Sequence, residues 1–415
     1  MKAKNGKRLF LCEITEQRLI LAVLACEKNN RRRFISLDTQ QLAQDSFEQG
    51  SRQLQELFRA RRYAKEPVVV SVPHKYATSR FLRIPASSDV EIEKIVSLQA
   101  SRLLPAASDE LITGFQVISK DKDGYSRVNL IIVQKAAIDR YCALMQQSGI
   151  RDFSITLSSI GLFNLCETHM ARTPGITALI EIDGPQAEIC FCSKEALMFS
   201  RSFILPENWK QGLADEYRKT EESFLKENPG NSPAAILLAG PPSLYPQLAE
   251  LKAFSPAIRQ EPLRYWENIV ADESFLSAMK TAVISPASLI GTGLKDIPPS
   301  MDFLPPELKK AKKSKGVRSE LVTAGTFLLA SCLIVGAAFN KQLADRQMVM
   351  QKLSAELSLI EKEARRIELI EKKYSGLALA GNSCLQFLTE THRVIPTGIS
   401  LSGFIYEGPK QLTLR

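Results

Sequence analysis

The chain has 415 residues, a net charge of +9 and 45% hydrophobic residues, room for two or three domains with a substantial core. The cations do not indicate nucleic acid, because six of them, Lys309, Lys310, Lys312, Lys313, Lys315 and Arg318, crowd one short segment. "RRR" at 31 to 33 and "RARR" at 59 to 62 lack interleaved aromatics and read as solvated faces. His74, His169 and His392 have no ligand spacing, so no metal is expected, and the scattered cysteines fit a reduced compartment better than a disulfide framework.

Charges interrupt the apolar residues of "MKAKNGKRLFLCEITEQRLILAVLAC" every few positions, which does not suit a cleavable signal. From Arg8 three strand-like runs follow, "RLFLCEI", "RLILAVLAC" and "RRRFISLD", then the helical "SFEQGSRQLQELFRARR" and the apolar strand "PVVVSVP". The same order returns as "TALIEID", "AEICFCS" and "ALMFSRSFIL", then the polar helix "PENWKQGLADEYRKTEESFLKEN" and the strand "AAILLAG". Two such copies predict an internally duplicated α/β unit. Laying "LCEITE" over "LIEIDG" puts Glu13 and Glu181 in the same place, just before a turn. Between the copies, from about 76 to 150, an insertion reads strand, amphipathic helix "DVEIEKIVSLQASRLL", two strands and a helix.

"VVVSVPHKYATSRFLRIP", "SRLLPAASDELITGFQVI" and "VNLIIVQKAAIDRYCALMQQSGI" resemble the PilM family of type IV pilus assembly and the cytoplasmic domain of the GspL family of type II secretion. The resemblance covers roughly residues 8 to 294. It implies an actin-like (ribonuclease H-like) domain over 1–294 that carries the insertion. Nucleotide-binding members of this fold use small-residue turns whose backbone N–H groups approach phosphate oxygens. Here Glu13 and Thr15 stand where the pattern has Asp and Gly, Glu181 and Asp183 take the corresponding places before Gly184, and Gly240 is followed by two prolines. The β-carbon of Thr15 and the carboxylates of Glu16 and Asp183 would crowd or repel a triphosphate. "GTGLK" at 291 to 295 is no Walker motif. The expectation is a set of degenerate turns with no catalysis and no cofactor. A membrane-anchored actin-like ATPase that binds and hydrolyses ATP is the alternative.

Residues 295 to 318 run "KDIPPSMDFLPPELKKAKK" and on to Arg318, and four prolines predict an extended linker before the basic block. "MDFLPPEL" resembles the peptide that begins the PilN family, typically Ile-Asn-Leu-Leu-Pro, which lies in a groove of its PilM-like partner. Met301, Phe303, Leu304 and Pro305 match the apolar positions, and Asp302 replaces the usual Asn, an acceptor in place of a donor-acceptor. About six residues, a reach of roughly 20 Å, separate Leu294 from the motif. Docking into a neighbouring copy is expected.

A membrane helix is predicted over 319–340. Leu321 to Phe339 carry no charge and make about 28 Å of helix, close to the hydrocarbon thickness of a bilayer. The cations before it face a sparser, mixed flank of Lys341, Asp345, Arg346 and Lys352, which places the N-terminal side in the cytoplasm and the basic block at anionic headgroups. Residues 341 to 374 place Leu343, Met350, Leu353, Leu357, Ile360, Ala364 and Ile367 on a seam of mainly three- and four-residue steps. This seam would pair with a second copy or with a PilO-like or GspM-like partner, or else pack on the chain's own C-terminal domain. A separate helix around "NSCLQFLTETHRVI" and a strand, Gly408-Pro409 turn and strand complete 375–415, which resembles the first half of the ferredoxin-like periplasmic domain of PilN and GspL. Half a domain cannot bury a core alone, so the sequence is either a fragment or completed by another chain. The resemblance as a whole implies a non-catalytic inner-membrane platform. It would link a pilus or secretion ATPase in the cytoplasm to periplasmic partners.

Overall fold

A computed structural model describes residues 8–15, 18–27, 31–42, 47–103, 110–170, 175–251, 254, 258–396, 398, 403–406 and 412–414. The chain divides into two compact units, Met1–Lys315 and Gly316–Arg415.

In the first unit β1 (Arg8–Ile14), β2 (Arg18–Cys26) and β3 (Arg32–Gln41) form an antiparallel meander. Helix α1 (Phe47–Ala60) leads to β4 (Val68–Val72), which runs parallel to β1 with Phe10 opposite Val68. All five residues of β4 are buried, as an apolar run covered on both faces of a sheet must be. The insertion follows: β5 (Ala77–Ile84), α2 (Asp89–Leu103), β6 (Leu111–Lys120), β7 (Ser126–Gln134) and α3 (Lys135–Gln147). Its three strands pair in the order β5-β7-β6, and Ile92, Val96 and Ala100 of α2 pack with Phe115, Val128, Leu130 and Ile132 in a small core. The chain then returns through β8 (Phe153–Leu157) and α4 (Ser158–His169).

The second half repeats the plan with β9 (Ile176–Asp183), β10 (Gln186–Cys192), β11 (Leu197–Ile204), α5 (Trp209–Glu227) and β12 (Pro233–Ala239). It goes on through α6 (Tyr245–Glu250), β13 (Arg259–Pro262), β14 (Val270–Ala271), α7 (Glu273–Lys280) and α8 (Ala287–Leu294). One sheet has the order β14-β3-β2-β1-β4-β8 and the other β11-β10-β9-β12-β13. Apart from the added β14, the two orders correspond strand for strand, which is the duplication that the sequence predicts. Helices α4 and α8 cross backbone to backbone: a β-carbon on Gly291 would stand 1.9 Å from the carbonyl oxygen of Gly161.

Helix α9 runs without interruption from Pro306 to Val394. This corrects two expectations. The basic block is helical instead of part of an extended linker, because the last proline takes the first helical position, where no N–H is needed. The separate helix expected around residues 382–395 is a continuation of the same helix, since Gly376 and Gly381 cost only about 1 kcal/mol each in a long helix. Among the described residues, Gly325–Lys373 is the one stretch long and apolar enough to hold a membrane span, and its Phe327, Leu329, Leu333, Val335 and Phe339 are exposed. The side chains of Lys312, Lys313, Lys315 and Arg318 lie outside the described residues; Lys310 is exposed and Lys309 half-buried. All seven seam residues are exposed. At the end, β15 (Phe404–Tyr406) and β16 (Leu412–Leu414) pair antiparallel with Phe404 opposite Leu414; their expected turn at Gly408-Pro409 falls outside the described residues.

Candidate functional site

Two hairpins, β1–β2 from the first half and β9–β10 from the second, meet at one cavity of about 410 Å³. Glu13, Glu181, Asp183 and Glu188 line it together with Arg18, Lys75, Ser158 and Ser288. Of the residues expected at degenerate nucleotide turns, Glu13, Glu181 and Asp183 are brought together, whereas Thr15, Gly184 and Gly240 are not among the lining residues. Gly184 serves the tight β9–β10 turn, where its φ is +60°. Gly240 follows β12 and accepts a hydrogen bond from Tyr265 Oη at 3.1 Å.

The acids are buried and accept most of their hydrogen bonds from within, although Asp183 Oδ2 and Arg18 Nε are buried without a hydrogen-bond partner. Glu13 is 1% exposed and accepts from Arg18 Nη2 at 2.9 Å and Ser288 Oγ at 2.7 Å. Glu181 accepts from Ser285 Oγ at 2.6 Å and the Ser288 N–H at 3.2 Å. Asp183 accepts from the Ser285 N–H at 3.1 Å and pairs with Arg18. Glu181 therefore caps the start of α8, where backbone N–H groups lack intrahelical partners and the dipole favours negative charge, and Asp183 holds the Ser285 N–H just before it.

Glu188 lies directly opposite Glu181 on the neighbouring strand, a like-charge pair that a sheet tolerates poorly if both ionise. Burial, assisted by the neighbouring acids, pushes Glu188 up to about 8. Burial and the charge of Glu13 push Glu181 up to about 7. Glu188 accepts from Ser158 Oγ at 2.6 Å, and that hydroxyl in turn accepts the His74 N–H at 2.9 Å. His74 is itself wedged between Ser159 and Ser200, and burial lowers it to about 4, so it is neutral.

This lining suits a nucleoside triphosphate poorly. A polyphosphate would enter among four buried acidic side chains and find Arg18 already engaged with two of them. Among the described residues no group of three or more His, Cys, Asp or Glu has an arrangement that could hold a metal ion. Cys190 and Cys192 lie buried with thiols pushed well up by burial, in keeping with small apolar residues.

The second feature is a groove beside β8, the edge strand of the first sheet. The segment from Ile297 to Leu304 lies in it. Phe303 is 0% exposed, with Met301, Leu304 and Pro305 also buried. The Phe303 N–H donates to the carbonyl of Ile155 at 2.8 Å. The Ile155 N–H donates to Asp302 Oδ1 at 3.1 Å, and the same oxygen accepts the Leu304 N–H at 3.1 Å. Asp302 thus plays a carbonyl in an extra, one-rung strand; only acceptors are used, so an Asp serves here as well as an Asn would. Gly114 makes room, since a β-carbon there would stand 2.7 Å from the Phe303 ring and from the carbonyl oxygen of Ser300. In this structure the peptide lies in the groove of its own chain. The short connection from α8 suffices because Arg32 holds both Gly293 and Asp296, which starts the segment in the right direction.

With this geometry the chain can be set beside known structures. A structure of the PilM-PilN type IV pilus biogenesis complex superposes over 69% of this chain and 99% of its own, at TM-score 0.58 and 15% identity. The fold is actin-like. The cytoplasmic domain of EpsL, an inner membrane component of the type II secretion system of Vibrio cholerae, matches at TM-score 0.41 and 12% identity over 62% of this chain and 90% of its own. A Bacteroides thetaiotaomicron protein of unknown function with an actin-like ATPase fold matches at TM-score 0.40 and 12% identity over 67% and 97%. No protein-family model and no curated protein matches the sequence.

Sequence reasoning missed Arg18, Glu188, Ser285 and Ser288. Arg18 carried one usable signal, a lone cation just after the turn that follows Glu13. "SPAS" before "LIGTGL" was a readable helix start. Glu188 had no signal, because its importance depends on strand register.

Proposed function

We propose that this chain is a non-catalytic inner-membrane platform of type IV pilus or type II secretion machinery, with its N-terminal unit in the cytoplasm and its terminal hairpin on the periplasmic side. The observation that carries the reading is the docked peptide. Met301 to Pro305, which resemble the PilN docking motif, occupy a groove of an actin-like body whose fold is that of the PilM-PilN structure. The same chain goes straight on into an apolar helix. One polypeptide then unites what a PilM-like and a PilN-like protein divide between them. The orientation rests on the excess of cations before the apolar run, which also suits anionic headgroups. The exposed seam supports pairing with a second copy or a PilO-like or GspM-like helix. The acid-lined cavity supports a body that works through its surfaces and not through ATP.

The test is affinity capture of the tagged full-length protein from its native membrane. Recovery of the hexameric assembly ATPase together with a periplasmic-side partner is expected. Capture of neither, with steady ATP turnover by the purified protein, would favour the membrane-anchored ATPase.

A further inference from the structure

Arg18 opens β2, just past the turn that Glu13 precedes, so the hairpin folds its guanidinium back over the Glu13 carboxylate. Nη2 donates to Glu13 at 2.9 Å, while Nη1 contacts Asp183. Glu13 belongs to the first half of the body and Asp183 to the second. A planar guanidinium can present separate N–H groups to two carboxylates at once, which an ammonium does less well. Beneath this bridge lies another: Ser288 donates its hydroxyl to Glu13 of the first half and its N–H to Glu181 of the second. Both ties meet at the N-terminus of α8, whose Gly291 lies against the backbone of Gly161 in α4. The joint is buried, with Glu13, Glu181 and Asp183 between 1% and 8% exposed, and its charges are screened little by solvent.

We propose that Arg18 is a built-in clasp, taking the place between the two turns where a nucleotide would bridge the halves of an actin-like body and holding the cleft closed without a ligand. Its positive charge offsets the facing acids, and its fork fixes their separation. The shape of the body is then constant, set by the sequence and not by a nucleotide cycle, as a fixed mounting surface requires. The inference goes beyond the scaffold reading, and the two fail separately: a chain with an intact clasp that captures no machinery overturns only the reading.

Hydrogen exchange by mass spectrometry on the full-length protein in detergent tests it, with wild type, Arg18→Ala and Arg18→Lys compared with and without Mg·ATP. In Arg18→Ala, exchange should rise about tenfold or more in peptides from β1–β2, β9–β10 and the start of α8, and stay unchanged in the β5-β7-β6 insertion. Millimolar methylguanidinium should return part of that protection to Arg18→Ala, and Mg·ATP should leave wild type unaltered. Unchanged exchange in Arg18→Ala, no recovery with methylguanidinium, or slowing of wild type by Mg·ATP overturns the clasp. Should Arg18→Ala not fold, Arg18→Lys decides. Wild-type protection in that variant overturns the proposal, and loss confined to the same three regions supports it.

Discussion

At the scale of single residues, the cleft concentrates acids in a place that burial makes costly, and the site answers by protonation and by internal donors. Glu188 has a folded pKa of about 8 against an ordinary 4.5, so the folded state holds a proton that the unfolded chain releases. Its contribution to stability is full below pH 4.5 and is lost as pH rises through about 8. Glu188→Gln keeps the shape and cannot ionise. Its melting temperature should rise above wild type once pH passes about 5, with the gap widening to about pH 8 and levelling beyond, as thermal scans across pH would measure. In the groove, the acceptor role of Asp302 makes a sharp comparison. Asp302→Asn retains the oxygen that faces Ile155 and Leu304 and should cost little, whereas Asp302→Ala should cost about 1.5–3 kcal/mol in denaturant titrations of the full-length protein. Phe303→Ala, at a fully buried position, should cost about 3–5 kcal/mol and expose the segment after α8 to proteolysis.

Among the elements, α4 and α8 meet so closely that either glycine position admits no side chain. Gly291→Val should destabilise by about 3 kcal/mol or more, because backbone and not a flexible side chain lies at 1.9 Å. For α9 the apolar stretch and the seam call for different tests. Leu333→Lys should reduce membrane insertion, a centrally placed lysine costing about 3 kcal/mol, with the outcome read from membrane fractionation. Cysteines placed singly at Leu353 or Leu357 should give disulfide-linked dimers under mild oxidation if two copies pair along the seam. Cysteine at Lys352, off that seam, should give far fewer.

At the scale of the whole molecule, reporters fused before Met1 and after Arg415 should lie on opposite sides of the membrane. Both on one side would end the platform reading. Within the first unit, the matching sheet orders show how a single plan of three strands, helix and strand, used twice, sets two hairpin turns face to face. The cavity follows from that duplication, and the peptide groove from the insertion, whose β6 supplies Gly114 beside the free edge of β8.

What the sequence by itself determined was whatever depends on neighbours along the chain. Alternation and apolar runs marked β1 to β4 and β9 to β12, the uncharged run marked the helix long enough to cross a membrane, and "MDFLPP" marked a buried peptide. Long-range geometry decided the rest. The short β13 and β14 have no pattern of their own and exist by pairing with strands already in place. Whether Asp302 meets its own chain or another depends on where β8 ends in space. Arg18 and Glu188 owe their roles to a turn and a register that place charges from distant segments within hydrogen-bond reach, where low dielectric makes each of them count.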